Sequence, residues 1–137
     1  MKNHIAAGLF SLLLTGCGGV GQPSSLALDR VQMVTLSSTQ QKVVRSGVSE
    51  IVANAARTGS SQTSSGSFSA FRLNSGDIIH VCGEAHYKMQ AGKAAKTAPF
   101  FMELANKNGQ PYAKRGQVGF DKLKKSKVVY LCKKSQR

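Results

Sequence analysis

The chain has 137 residues, with 19 Lys or Arg, 6 Asp or Glu and 3 Cys, and its formal net charge is +13 at pH 7. This length suits one small domain and is too short for a second. The positive charge favours anionic partners, and the few acidic residues are not grouped as a hydrolase with paired carboxylates would require. We therefore expect no catalytic residues.

The first 16 residues have the order of a secretory signal peptide. Lys2 provides a positive charge, residues 5–14 are mostly apolar, and the small residues Thr15 and Gly16 follow. A membrane-spanning helix needs about 20 apolar residues, so this run predicts a cleaved signal and no permanent span.

Leu14, Thr15, Gly16 and Cys17 resemble the lipobox of bacterial lipoproteins. In that family the Cys thiol takes a diacylglyceryl group, the signal is cut just before it, and the new amino group is usually acylated, commonly with palmitate. Two or three acyl chains hold a protein stably on a membrane. Because Gly18 and not Asp follows the Cys, the resemblance implies the outer membrane, facing the periplasm. An ordinary signal peptide with an incidental Cys is the alternative.

Residues 17–38 contain glycines, a proline and serines without a sustained period, which predicts a flexible tether. A short strand at about residues 31–36 is the alternative. The folded domain is then expected at residues 39–137.

Apolar residues at helical spacing predict an amphipathic helix at about residues 39–57. Ser37 or Ser38 can cap its start, and Gly59 can end it. Gly47 inside the helix costs about 1 kcal/mol relative to Ala, which favours close packing at that point.

The rest of the domain has the patterns of an antiparallel sheet. Residues 59–67 form a polar stretch that predicts a loop, and Asn108 with Gly109 predicts a tight hairpin whose return arm, because of Pro111, is short or at an edge. Strands are predicted at residues 68–73, 77–87, 98–105 and 127–133. One helix followed by about four strands predicts an α+β fold, with the helix packed across one face of the sheet.

Cys82 and Cys132 are the two thiols left in a chain that is expected to be exported, and they most simply form a disulfide. A metal site is the alternative, because His80, Cys82, Glu84 and His86 would share one face of a strand. However, the two histidines would stand about 20 Å apart in an extended strand, too far for one ion. We therefore predict no metal and no cofactor.

The C-terminal 50 residues hold nearly all of the charge excess, with 13 basic residues against 2 acidic ones. The lysines predicted to bind anions are Lys122, Lys124, Lys125, Lys127, Lys133 and Lys134. Lipopolysaccharide, peptidoglycan or another anionic polymer would suit them, and a solvated surface without a ligand is the alternative. The aromatic residues of this half could stack on nucleic acid bases, but their strand-like placement favours core packing. They are Phe100, Phe101, Tyr112, Phe120 and Tyr130.

Residues 81–83 (Val-Cys-Gly), Lys88, the pair Pro99 and Phe100, and Cys132 are similar to a pattern in small exported proteobacterial proteins of unassigned function. The similarity covers residues 40–132, and the Asn-rich and Gly-Gly-Tyr parts of that pattern are absent here. It implies a helix-plus-sheet domain with a Cys–Cys link and names no activity.

The sequence thus predicts a lipid-anchored envelope protein with a non-enzymatic binding or structural role toward an anionic partner. Envelope-associated nucleic-acid binding, in DNA transfer or uptake, is the alternative.

Overall fold

The computed structural model describes residues 31–56, 61–73 and 76–136. The predicted signal peptide, Cys17 and most of the predicted tether lie outside them. The described elements form an α+β fold with a five-stranded antiparallel sheet and two helices. In chain order they are β1 (Val31–Val34), α1 (Ser38–Ala55), β2 (Gln62–Leu73), β3 (Ile79–Lys88), β4 (Lys96–Lys107), β5 (Gln110–Val118) and α2 (Lys122–Ser135).

A capping box begins α1. The Gln40 backbone N–H donates to Ser37 Oγ at 3.2 Å, and the Ser37 N–H donates to Gln40 Oε1 at 2.9 Å. These two bonds satisfy donors that the first helical turn leaves without partners, so Ser37 is the cap. The helix ends at Ala55, and the predicted stop at Gly59 lies outside the described residues.

The apolar stripe of α1 packs on one face of the sheet, as predicted. Val44, Val48 and Val52 recur every four residues and are fully buried. A Cβ at Gly47 would stand 2.6 Å from the end of the Met102 side chain. Gly47 therefore leaves room for the end of the Met102 side chain between α1 and the sheet.

The strands follow one another across the sheet in the order β1-β2-β3-β4-β5, each antiparallel to its neighbour. β3 confirms the strand predicted at residues 77–87, and its side chains alternate, because Ile79, Val81, Ala85 and Tyr87 are buried on the α1 side. The β4–β5 hairpin turns at Asn108 and Gly109 with φ of 54° and 80°, the positive values that a tight two-residue turn needs. β5 is an edge strand, as Pro111 indicated.

The prediction of about four strands is wrong in two places near the N-terminal side of the sheet. β1 is present, so the strand alternative for residues 31–36 holds, and β1 pairs with the last four residues of β2. The stretch 62–67, predicted as a loop, forms the first half of β2. Its polar side chains give no alternation, and backbone pairing with β3 holds it extended. A bulge follows Ser65, and Gly83 leaves room there, since a Cβ on it would stand 2.5 Å from Phe68 Cβ.

The predicted last strand, residues 127–133, is also wrong, because this segment lies inside α2. Asp121 caps the helix by accepting a hydrogen bond from the Lys124 N–H at 2.8 Å. Val128 and Ser135 are buried seven residues apart, with Cys132 between them on the same side. This helical period prevails over the strand propensity of the local β-branched and aromatic residues.

A disulfide between Cys82 and Cys132 holds α2 on the sheet, which confirms the predicted bridge. Cys82 alternates with Val81, so it lies on the face opposite α1. The sheet therefore has one helix on each face. Neither described helix combines the length and the apolar character that a membrane crossing requires.

Replacing Cys82 and Cys132 together by Ala should lower the free energy of unfolding by roughly 4 kcal/mol, because the bridge restricts the unfolded chain between residues 50 positions apart. Denaturant unfolding of the oxidised protein and of the double variant measures the difference. Reductant should bring the unsubstituted protein to the level of the variant and leave the variant unchanged. An oxidised protein that is indifferent to reductant would contradict this expectation.

Candidate anionic-ligand surface

All six lysines predicted to bind anions lie on α2, and all are exposed. The helix itself contains no acidic residue. Among the residues that the structure describes, Lys124 alone of the six lies within ion-pair distance of a carboxylate, with its Nζ 3.9 Å from Asp121 Oδ2. Both groups of that pair are more than half exposed, so the interaction is weak. The charge of the other lysines is directed at solvent.

The outer face of α2, which we define as the side opposite Val128, has an apolar centre. Leu123 and Tyr130 are 81 % and 63 % exposed, and their separation of seven residues places them on one stripe, two turns apart. At about 100° per residue, Lys127 and Lys134 lie on one side of that stripe, and Lys122 and Lys133 lie on the other.

A groove of about 420 Å³ runs along one side of this outer face. Lys122, Lys125 and Lys133 surround it, together with Ser126, Val129 and Tyr130. A phosphate or carboxylate in the groove would meet several ammonium groups and an aromatic ring, whereas the Ser126 hydroxyl already donates to the Lys122 carbonyl at 3.0 Å.

The electric field of the helix adds to the charge at its start. Lys122, Lys124 and Lys125 occupy the first turn, where the backbone N–H groups already carry partial positive charge, and Asp121 is the N-cap residue before them. This arrangement destabilises the isolated helix and raises the local positive potential. It can attract and hold anions.

Other basic residues of the C-terminal 50 lie away from α2. Lys88 ends β3, Lys93 lies in the connection between β3 and β4, and Lys96 begins β4. Arg137 lies outside the described residues.

The prediction that the aromatic residues serve core packing is correct in part. Phe100 and Phe101 are buried, and the Phe120 ring meets the buried Tyr87 ring edge-on at 5.3 Å between centroids. For Tyr130 and Tyr112 the expectation is wrong, because they are 63 % and 41 % exposed. The placement of residue 130 on a helix explains the difference there.

A second polar group, which the sequence did not indicate, crosses the face of the sheet that carries α2. It belongs to a row of residues that face one another on neighbouring strands from β2 to β5, in the order Phe71, His80, Glu103 and Arg115. The last three form the polar group. Arg115 Nη2 lies 2.8 Å from Glu103 Oε1, and His80 Nε2 lies 3.8 Å from the same oxygen. The ion pair compensates the burial of Glu103, which is only 8 % exposed.

Phe101 lies beside this group and contacts both basic side chains. The His80 ring centroid is 5.4 Å from the Phe101 centroid, and Arg115 Cζ lies 5.8 Å from it. Burial lowers the pKa of His80, Glu103 acts in the opposite direction, and Arg115 adds to the lowering. The group therefore holds a buried carboxylate, one arginine and an imidazole that resists protonation.

The residues of the metal alternative do not come together as a site. Cys82 is bonded to Cys132, so it offers no thiolate, and no group of three or more metal-binding side chains is found in residues 31–56, 61–73 and 76–136.

No protein-family model, curated protein or solved structure matches this chain. The geometry of α2 and of the sheet therefore carries the functional argument.

The lowered pKa of His80 predicts a loss of stability in mild acid. When the pH falls below 6.5, the ordinary pKa of histidine, His80 takes up a proton in the unfolded chain more readily than in the folded protein. The free energy of unfolding should thus fall between about pH 7.5 and pH 5.5, and the fall should be smaller in His80→Gln. Denaturant unfolding across this range measures it. From pH 7.5 to 8.5 the difference in free energy of unfolding between the two proteins should stay constant. If both proteins lose the same stability in acid, His80 is not the cause of the loss.

Proposed function

We propose that this protein is a lipid-anchored component of the cell envelope and that α2 binds an anionic envelope partner in a non-enzymatic role. The observation that supports this proposal is a set of six exposed lysines on α2, a helix that has no acidic residue and that a disulfide attaches to the sheet. Lipopolysaccharide phosphates and peptidoglycan carboxylates are the partner chemistries that suit it.

The attachment of α2 supports a binding role for the lysines. A flexible lysine-rich segment would lose conformational freedom on meeting its ligand, whereas the bridge and the buried Val128 hold this helix in place beforehand. The backbone positions of its lysines are therefore already set on the free protein, and only their flexible side chains have to adjust. Such preorganisation favours a repeated anionic surface over a single small anion.

The envelope location is supported by the lipobox residues, with Cys17 as the acylated position. An acyl anchor would keep the lysine surface of α2 near the polyanions of the envelope. The anchor and the basic helix thus fit one role.

Nucleic-acid binding is the second candidate, and the exposure of Tyr130 favours it. Tyr130 is 63 % exposed with lysines on both sides, so its ring can stack on a base while the lysines contact phosphates. This role would place the protein in DNA transfer or uptake.

Replacing Lys122, Lys127, Lys133 and Lys134 by Gln should weaken polyanion binding at least tenfold at low salt. Each lysine–phosphate contact releases counterions from the polymer, and the variant loses this favourable release. The matched control replaces the exposed Lys42, Lys93, Lys107 and Lys114, which removes the same charge elsewhere. Co-sedimentation with lipopolysaccharide and with peptidoglycan, and protection of DNA across a salt series, measure binding. Equal losses in both variants would show that net charge alone acts.

The same assay separates the two candidates. An envelope binder should sediment with one of the two envelope polymers at moderate ionic strength, whereas a DNA binder should protect a defined length of DNA and lose it steeply with salt. Failure to bind any of the three polymers at low salt would refute both.

Replacing Cys17 by Ser should abolish incorporation of labelled palmitate and leave the precursor uncut, because the acylation needs a thiol nucleophile. The Cys82→Ala, Cys132→Ala variant retains Cys17 and should remain labelled. Metabolic labelling and the mass of the mature N-terminus provide the measurement. Normal labelling and cleavage in Cys17→Ser would refute the anchor.

A further inference from the structure

We infer that the outer face of α2 docks on an anionic phospholipid bilayer, with Leu123 and Tyr130 entering the headgroup region and the flanking lysines binding lipid phosphates. This inference rests on the proposed anion binding by α2 and names a lipid surface as its partner. It does not require acylation of Cys17.

Leu123 distinguishes a lipid surface from a soluble polymer. Leu123 is 81 % exposed in the first turn of a lysine-rich helix. A hydrated polyanion offers phosphates or carboxylates to lysines and nothing to a leucine, so this exposure would stay unfavourable in such a complex. The boundary between headgroups and acyl chains accommodates both kinds of side chain.

The lysines stand on both sides of the apolar stripe. Lys127 and Lys134 line one side, and Lys122 and Lys133 line the other. In a helix lying flat on a bilayer, such lysines bury their aliphatic stems and extend their ammonium groups to the phosphates. Leu123 and Tyr130 between them would occupy the deepest position. A tyrosine suits that depth, because its ring is apolar and its hydroxyl is polar.

The attachment of α2 directs this stripe away from the domain. Val128 and Cys132 face the sheet, so the opposite side of the helix points outward. The 14 residues of α2 extend over about 21 Å, long enough to cover several headgroups while lying parallel to the membrane. Charge complementarity and the exposed apolar pair therefore indicate the same occupant.

Tryptophan fluorescence of the full chain tests the inference, because the protein has no Trp of its own. In Tyr130→Trp the emission should shift to shorter wavelength, and brominated acyl chains should quench it, with vesicles that mix phosphatidylglycerol into phosphatidylcholine. Pure phosphatidylcholine vesicles should have little effect. The matched control is Tyr112→Trp, at a position 41 % exposed beside α1, and its emission should be the same with both vesicles.

Adding Leu123→Ser to Tyr130→Trp should lower the ratio of docked to undocked protein roughly tenfold at fixed lipid composition. The reason is that most of the free energy of moving one leucine side chain out of water is lost. The same change should leave binding to inorganic polyphosphate unaltered, since all six lysines remain. A docked ratio that does not respond to Leu123→Ser would overturn the insertion of this stripe.

Identical emission of Tyr130→Trp with anionic and neutral vesicles would overturn the inference. Persistent lysine-dependent polyphosphate binding in that case would show that the proposed function survives with a different anion, and loss of both would refute both. Emission that changes with DNA and not with anionic vesicles would also overturn it, in favour of nucleic acid.

Discussion

The bond between Cys82 and Cys132 is the constraint on which the arrangement of α2 depends. Between Lys122 and Ser135 only Val128 and Ser135 are buried, which is little apolar contact for a helix with six like charges. Lysines in its first turn oppose the helix dipole, and neighbouring lysines repel one another. A covalent link to the middle of β3 compensates these costs, so the helix can expose a surface that would otherwise favour its unfolding.

Most of the apolar core lies on one face of the sheet, and the polar group and the exposed lysines lie on the other. On the α1 side, valines of the helix meet Val81, Met102 and other apolar residues, and this is where the core lies. The opposite side carries the disulfide, α2, and the polar group of His80, Glu103 and Arg115. Because most of the apolar core lies on the first face, the second can hold these polar groups beside the bridge and the buried Phe101 and Val128. The same division lets the lysines of α2 be substituted with little effect on the fold.

The sequence predicts the parts of this structure that depend on periodicity and on particular residue types. Alternation on β3, the valine spacing of α1, the Asn108–Gly109 turn and the paired cysteines all carry such signals. The strand prediction around Val128 is wrong because β-branched residues dominate the local propensity there, although Asp121 offers a helix cap. The Glu103–Arg115 pair depends on a bulge. Counting back from the turn would place residue 114 opposite Glu103, and the extra residue moves that position to Arg115.

A lipid-docking α2 would matter most on a domain that is already held at a membrane. The sequence places Cys17 before β1 and α2 at the far end of the chain, so an acyl anchor and the lysine surface would be two attachments of one small domain. A short connection gives the second attachment an effective concentration in the millimolar range. Contacts between lysines and headgroups are weak one at a time, yet at that concentration a weak second contact is occupied for much of the time. The helix would then set the orientation of the domain, with the polar group of His80, Glu103 and Arg115 held at a defined angle to the bilayer.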